Sequence, residues 1–323
     1  MQTMKKMTKN IIPLLFTFTM FFTACSPYSN LTPMDSMRED LQYPFDVKYA
    51  DISGKQSVAY VDEGQGPETI IFIHGLGTYL RAWEKNIAEL KSDYRCVAID
   101  LPGYGKSTKL PHDGSMTFYA DVVMEVMNHL NIESAILAGH SMGGQISMVA
   151  ALRYPQRVEK LILAAPAGFE RFTEGQKEWF REVMSLSGVK KTTAEAIMTN
   201  AAYNFYNMPD DAEFIITDRL AMRSANDFDH YCYTVAQSVD GMVNEPVIDK
   251  LDMIKQPTLI VFGENDNLIP NRYLNPGWTK DIAKVGHNRI PDSKLILLPK
   301  CGHFLPFEKA NEFNSAIRQF LSN

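Results

Sequence analysis

The sequence predicts a doubly wound, mostly parallel α/β sheet carrying an inserted α-helical cap. Three observations carry that prediction. Short, continuously apolar runs recur along the chain, the character of strands covered on both faces. Amphipathic helical stripes fall between them. Between Pro166 and Pro257 the alternation stops, and no run there reads as a buried strand. With 323 residues, 45% of them hydrophobic and 22% charged, the chain suits one large globular domain with a substantial insertion and is far from disordered composition. A formal charge of -6 gives no basic footprint, so nucleic acid is not an expected partner.

The N-terminus is of another kind. Lys5, Lys6 and Lys9 precede the apolar stretch 11–22, and Thr23-Ala24-Cys25-Ser26 follows. A basic start, a short apolar core and a small residue before the cut describe a secretory signal too short for an ordinary membrane span. Its end resembles a bacterial lipoprotein lipobox, with Phe22 standing where that pattern prefers an aliphatic residue. The resemblance implies that Cys25 receives diacylglycerol and tethers the protein to a membrane of the cell envelope; a plain cleaved signal, giving a secreted or periplasmic protein, and an uncleaved anchor stay open. Residues 26–44, aperiodic and holding Pro27 and Pro33, read as a linker after a signal peptide at 1–25. The other cysteines, Cys96, Cys232 and Cys301, cannot all pair and share no metal-ligand spacing.

From residue 45 the fold begins. Phe45–Ala50 and Ser57–Val61 alternate with period two around Ser53-Gly54, as in a hairpin. Apolar runs follow at Thr69–Ile73, Cys96–Ile99, Ala135–Ala138, Leu161–Ala164, Thr258–Phe262 and Lys294–Leu298. Helical stripes appear at Trp83, Ile87 and Leu90, at Val123, Val126, Met127 and Leu130, and at Phe313, Ile317, Phe320 and Leu321. The core is therefore expected over 45–166 and 255–323, and the cap over 167–254. Within the cap Trp179, Val183 and Leu186 make one stripe and Tyr231, Val235, Val239 and Met242 another. Met184, Met198, Met208, Met222, Phe205 and Tyr206 suggest an adaptable apolar pocket for an acyl group, although a helical core accounts for most of them equally well.

The chemistry centres on Gly139-His140-Ser141-Met142-Gly143, lying between the Ala135–Ala138 run and a helical segment. A serine at a strand-to-helix turn with glycine two residues to either side describes a nucleophile elbow. Alone the pattern is weak, since a chain this long matches it by accident roughly once in ten. His74-Gly75-Leu76-Gly77 follows a strand and would bring a backbone N–H near a reacting carbonyl oxygen. With the amide after the serine, the oxyanion donors would be Leu76 and Met142. His74 reads as a brace for this loop and His140 as packing. Asp100-Leu101-Pro102-Gly103-Tyr104-Gly105 forms a tight loop whose acid precedes the serine, and reads as structural. Asp266, in Gly263–Pro270, and His303, after Cys301-Gly302, lie beyond later strand ends, where open α/β sheets build their sites.

Together HGLG, DLPGYGKS, GHSMGG, GENDNLIP and CGHF resemble the α/β-hydrolase family, in order and spacing, from about Val47 to the C-terminus. The resemblance implies Ser141 as nucleophile, Asp266 as acid with Glu264 the runner-up, and His303 as base, acting on carboxylic esters through an acyl-enzyme. Relatives of this architecture also cleave carbon–carbon bonds in diketones, lactones and N-terminal peptides, and a non-catalytic ligand-binding form is a further alternative. The stretch Tyr273–Arg289, with Pro276, Gly277 and Trp278, is longer than the family pattern and is expected to shape the pocket rim. No HExxH, paired CxxC or phosphate loop occurs, so neither metal nor cofactor is implied. The expected partner is a small apolar acyl substrate, and the oligomeric state is left open.

Overall fold

The computed structural model describes Tyr28 and residues 30–322; the expected signal peptide and Cys25 lie outside the described residues. Eight strands form one sheet: β1 (Lys48–Asp51), β2 (Ser57–Glu63), β3 (Thr69–Ile73), β4 (Arg95–Ile99), β5 (Ala135–His140), β6 (Val158–Ala164), β7 (Thr258–Gly263) and β8 (Ser293–Leu298), in the order β1-β2-β4-β3-β5-β6-β7-β8. β1, β2 and β4 pair antiparallel and the remaining neighbours pair parallel. All six apolar runs are strands, and β5 and β7 are buried along their whole length because helices cover both faces.

Among the described residues twelve α-helices accompany the sheet. Those up to the insertion are α1 (Met37–Asp40), α2 (Glu84–Leu90), α3 (Met116–His129) and α4 (Met142–Arg153). Between β6 and β7 run α5 (Glu174–Val183), α6 (Leu186–Lys190), α7 (Ala194–Tyr203), α8 (Phe214–Ala221) and α9 (Phe228–Asn244). Then come α10 (Thr279–Arg289), α11 (Leu305–Glu308) and α12 (Ala310–Leu321). Register places the functional loops in a row. Ile73 pairs with Gly139, His140 with Ala164, Ala164 with Val261 and Gly263 with Leu298, so the segments after five parallel strands emerge at one sheet edge.

Two stretches differ from the expectation. Residues 34–44 are a packed strap rather than a linker. Met34, Met37 and Leu41 are buried in the main core, and the Asn226 amide donates to Asp35 O at 2.9 Å. The Met37 amide donates to Asp227 Oδ1 at 3.2 Å, and Tyr43 Oη–H to Asp100 Oδ2 at 2.6 Å. Apolar burial and these bonds outweigh the cost of ordering the chain. The stretch after Asp266 is irregular only to Trp278. From Thr279 it is helix α10, where Gly286 admits Phe169: a Cβ there would lie 2.2 Å from the ring. Trp278 stands in solvent at 71% exposure and is not part of the wall of the cavity beside Ser141, whereas Tyr273 is.

Candidate active site

Ser141 occupies the junction of β5 and α4 with φ 53° and ψ −116°, a left-handed backbone that a non-glycine residue adopts only under tertiary constraint. That constraint is visible. The Ser141 amide donates to Ala164 O and the Ala167 amide to Ser141 O, both at 3.0 Å. A Cβ on Gly139 would lie 2.2 Å from Gly143 O, and one on Gly143 would lie 2.1 Å from Ile73 O. Both glycines of the elbow are thus required by contact with backbone, which cannot yield as a side chain can. Met142 is the first residue of α4, so its amide is among those a helix start leaves without an intrahelical partner.

The Gly75–Thr78 loop faces the elbow. Its turn is closed by the Thr78 amide on Gly75 O at 3.4 Å and by Thr78 Oγ1–H at 3.2 Å, with Gly77 at φ 71°. This bonding leaves the Leu76 N–H out of the turn. His74 braces the loop from beneath. The Leu101 amide donates to its Nε2 at 3.1 Å, which makes Nδ1–H the donor to Gly75 O at 2.8 Å. Burial pushes the His74 imidazole down to about 4, so it is a neutral strut. Asp100 is also structural: its carboxylate accepts from the amides of Leu80 and Lys106 and from Tyr43, and burial raises it to about 6.

Asp266 and His303 meet directly. His303 Nδ1 lies 2.7 Å from Asp266 Oδ2, while Asp266 Oδ1 accepts the amides of Leu268 at 2.8 Å and Ile269 at 3.0 Å. Both oxygens of this buried carboxylate are engaged, so the tautomer it favours carries its proton on Nδ1 and turns Nε2 into the acceptor. Glu264, by contrast, is exposed. His140 Nε2–H donates to His303 O at 3.0 Å, and its ring lies 5.1 Å from Phe304; burial, ahead of the neighbouring His303, pulls it well below its ordinary value. Cys301 is a buried thiol raised by burial, which removes it as a nucleophile.

Ser141, His303, Gly75, Leu76 and His140 share the wall of one cavity of about 710 Å³, roofed by the helices between β6 and β7. Of the cap residues expected to form an acyl pocket, Met184 lines it. Phe205 and Met222 are instead buried in the core, and Tyr206 is exposed. The apolar wall comes from Phe172, Trp179, Phe180, Val235, Val239 and Met242.

Four residues of the site carry no sequence motif. Glu170 lines the cavity with its carboxylate accepting the Asn271 amide at 3.0 Å, and burial raises it. Gln145 Nε2 ties α4 to the carbonyls of Met242 and Glu245, both at 3.0 Å. Glu308 accepts the amides of Gly302 at 2.7 Å and Asn207 at 2.7 Å, joining the histidine loop to the insertion. Arg219 lines the cavity, and its Nη1 donates to Asn200 Oδ1 at 2.6 Å. A cation lining a roofed pocket with no ion-pair partner among the described residues is the sort of signal that only tertiary placement reveals.

Residues 68–310 match the family model described as the alpha/beta hydrolase fold. The 2-hydroxy-6-oxononadienedioate/2-hydroxy-6-oxononatrienedioate hydrolase of Escherichia coli K12 is 29% identical over 275 residues, covering 82% of this chain and 91% of its own. A probable hydrolytic enzyme from Pseudomonas aeruginosa superposes with TM-score 0.80 at 26% identity, over 90% of this chain and 98% of that one. A thermophilic esterase from Thermogutta terrifontis, solved with malate bound, superposes with TM-score 0.69 at 25% identity, over 86% and 98%.

Proposed function

The chain belongs to the α/β-hydrolase family, and on that premise we propose that it is a serine hydrolase cleaving carboxylic esters, with Ser141 as nucleophile, His303 as general base and Asp266 as its orienting acid. One observation carries the reading: the Asp266–His303 hydrogen bond of 2.7 Å opens onto the same cavity wall as the strained Ser141. His303 Nε2 takes the Ser141 hydroxyl proton as Oγ attacks the ester carbon, and Asp266 stabilises the imidazolium that forms. The carbonyl oxygen becomes an oxyanion held by the amides of Leu76 and Met142, each donor typically worth roughly 3–4 kcal/mol. Collapse expels the alcohol, protonated by His303. Water activated by the same imidazole then attacks the acyl-enzyme and releases the acid. The apolar cap wall supports an apolar acyl group as substrate.

Ser141→Ala removes the nucleophile without altering the elbow glycines. Turnover of p-nitrophenyl acetate should fall by about 10³-fold or more at unchanged circular dichroism. Turnover surviving that substitution would refute the assignment.

Arg219 favours a second reading on the same triad. The neighbouring Asp218 is taken up by Tyr79 and Arg81, and no carboxylate pairs with Arg219 among the described residues. A guanidinium lining a pocket without a direct ion-pair partner among the described residues suits a substrate bearing a carboxylate. Hydrolysis of a carbon–carbon bond in an acidic diketone would use it, and the substrate in the Escherichia coli relative's name is a hydroxy-oxo dicarboxylate. A panel of neutral ester, lactone, acidic diketone and aminoacyl amide separates the readings. Arg219→Gln should lower kcat/KM on acidic substrates about tenfold or more and leave neutral esters alone. We further propose attachment through a lipid on Cys25 in a bacterial cell envelope. Metabolic labelling with an alkynyl fatty acid should mark the full-length chain and not Cys25→Ala.

A further inference from the structure

Helix α9 grips the core along one face. Tyr231, Thr234, Ser238 and Gly241 follow one another at spacings of three, four and three, which aligns them on a helix. Each meets a core loop at close range. A Cβ on Gly103 would lie 2.1 Å from Thr234 Oγ1, and one on Gly241 would lie 2.3 Å from Gly114 O. Ser238 Oγ joins the hydroxyls of Tyr104 and Tyr119, each at 2.8 Å. At the helix start, buried Tyr231 directs its Oη–H to Gly77 O at 3.1 Å, and a Cβ on Gly77 would stand 3.5 Å from that oxygen. The adjoining flank of the same helix, with Val235, Val239 and Met242, lines the cavity, as does Tyr231 itself.

We propose that Tyr231 is a positioning residue for the oxyanion loop: its hydroxyl fixes the Gly77 end of the Gly75–Thr78 turn and so aims the Leu76 N–H at the carbonyl oxygen bound over Ser141. The inference rests on the serine-hydrolase reading and adds a part of the machinery that comes from the insertion. The turn's own closure is weak, because 3.4 Å is at the long end of a backbone hydrogen bond. Its two outer carbonyls are held from opposite sides. Gly75 O is held by His74 of the core, and Gly77 O by Tyr231 of the insertion. The Leu76 N–H that must point at developing charge lies in the same peptide plane as Gly75 O; Leu76 and the left-handed Gly77, which has no side chain to restrict its rotation, link that plane to the Gly77 carbonyl held by Tyr231. Preorganised donors stabilise an oxyanion only if they need no reorientation during reaction, and here the second restraint comes from the cap.

The test is Tyr231→Phe, which keeps the ring and its 6.0 Å contacts with Phe228 and Tyr104 and removes the hydroxyl. Wild type and variant are compared on p-nitrophenyl acetate and on its thiono analogue, in which sulfur replaces the carbonyl oxygen and binds such donors poorly. The expected result is kcat on the oxygen ester lowered about tenfold, less than the loss typical when a donor itself is removed. KM should stay within about twofold, and the oxygen-to-sulfur rate ratio should contract. Hydrogen exchange of the peptide spanning 74–83 should quicken, a readout that needs no catalysis. Unchanged kcat, rate ratio and exchange would overturn the proposal while leaving the hydrolase reading intact. A change confined to KM would also overturn it, since that marks a ground-state substrate contact. A wild type that neither turns over an ester nor reacts with a fluorophosphonate would remove the hydrolase reading and this proposal with it.

Discussion

The elbow and helix α5 both line one cavity and are built on opposite rules. At the elbow each added atom meets backbone: Gly139 and Gly143 have no room for a Cβ, and the strand and helix on either side are buried. In α5 no residue is fully buried. Trp179 and Val183 are 37% and 47% exposed, and α5 is held by its capping box at Thr173, by surface ion pairs such as Arg181–Asp240 and by Gln176 on Leu274 O. The difference teaches where chemistry and specificity are stored. Under the proposed mechanism reaction geometry is fixed by crowding, and substrate choice is expected to rest on a wall that can be rebuilt at little cost to the fold.

The largest expected effect breaks the crowded side. Gly143→Ala drives a methyl to within 2.1 Å of Ile73 O and should cost at least about 3 kcal/mol or abolish soluble expression, read by urea unfolding. Asp266→Asn preserves volume but turns one acceptor into a donor beside His303. It should lower kcat by about 10³-fold or more while the urea midpoint shifts little. Trp179→Ala, on the open wall, should change stability by less than about 1 kcal/mol and instead shift the preferred acyl chain length in a p-nitrophenyl ester series.

A pH experiment sharpens the comparison further. His74 titrates at about 4 when folded and near 6.5 when unfolded, so below 6.5 the unfolded chain binds the extra proton. Its neutral burial supports the fold above that pH, and the support is lost as pH falls towards 4, by about 3 kcal/mol in all. Asp100 acts in the opposite sense over the same window, because its raised value means that protonation on acidification relieves its burial. Comparing wild type with His74→Gln cancels the Asp100 contribution. The stability advantage of wild type over the variant should therefore shrink between pH 7 and pH 4.5 in urea titrations. A constant difference would mean that His74 is not the buried neutral strut.

What the sequence made legible follows the same division. The six apolar runs became strands because a strand covered on both faces must be apolar throughout, and the loops after them were marked by glycines that backbone contact demands. The Trp179, Val183 and Leu186 stripe has helical period whether it faces a core or a cavity, so period alone could not say which. The strap at 34–44 hid behind prolines, although Met34, Met37 and Leu41 already carry helical spacing. Helix α10 carries no strong apolar stripe, because its face against the sheet is small, with Ala283 and Gly286 buried in place of large side chains. Tyr231 and Glu308 bond loops far away in sequence and Arg219 lines a cavity built from distant segments, and nothing local distinguishes them from ordinary helix residues.

The central claim is that Ser141, crowded into its strained turn and served by His303, is the nucleophile. Treatment with a fluorophosphonate followed by peptide mass spectrometry tests it most directly. The account predicts a single adduct on the peptide containing Ser141, formed quickly in wild type and at least about 10²-fold more slowly in His303→Ala. An adduct on another residue, or equal labelling without His303, would contradict it.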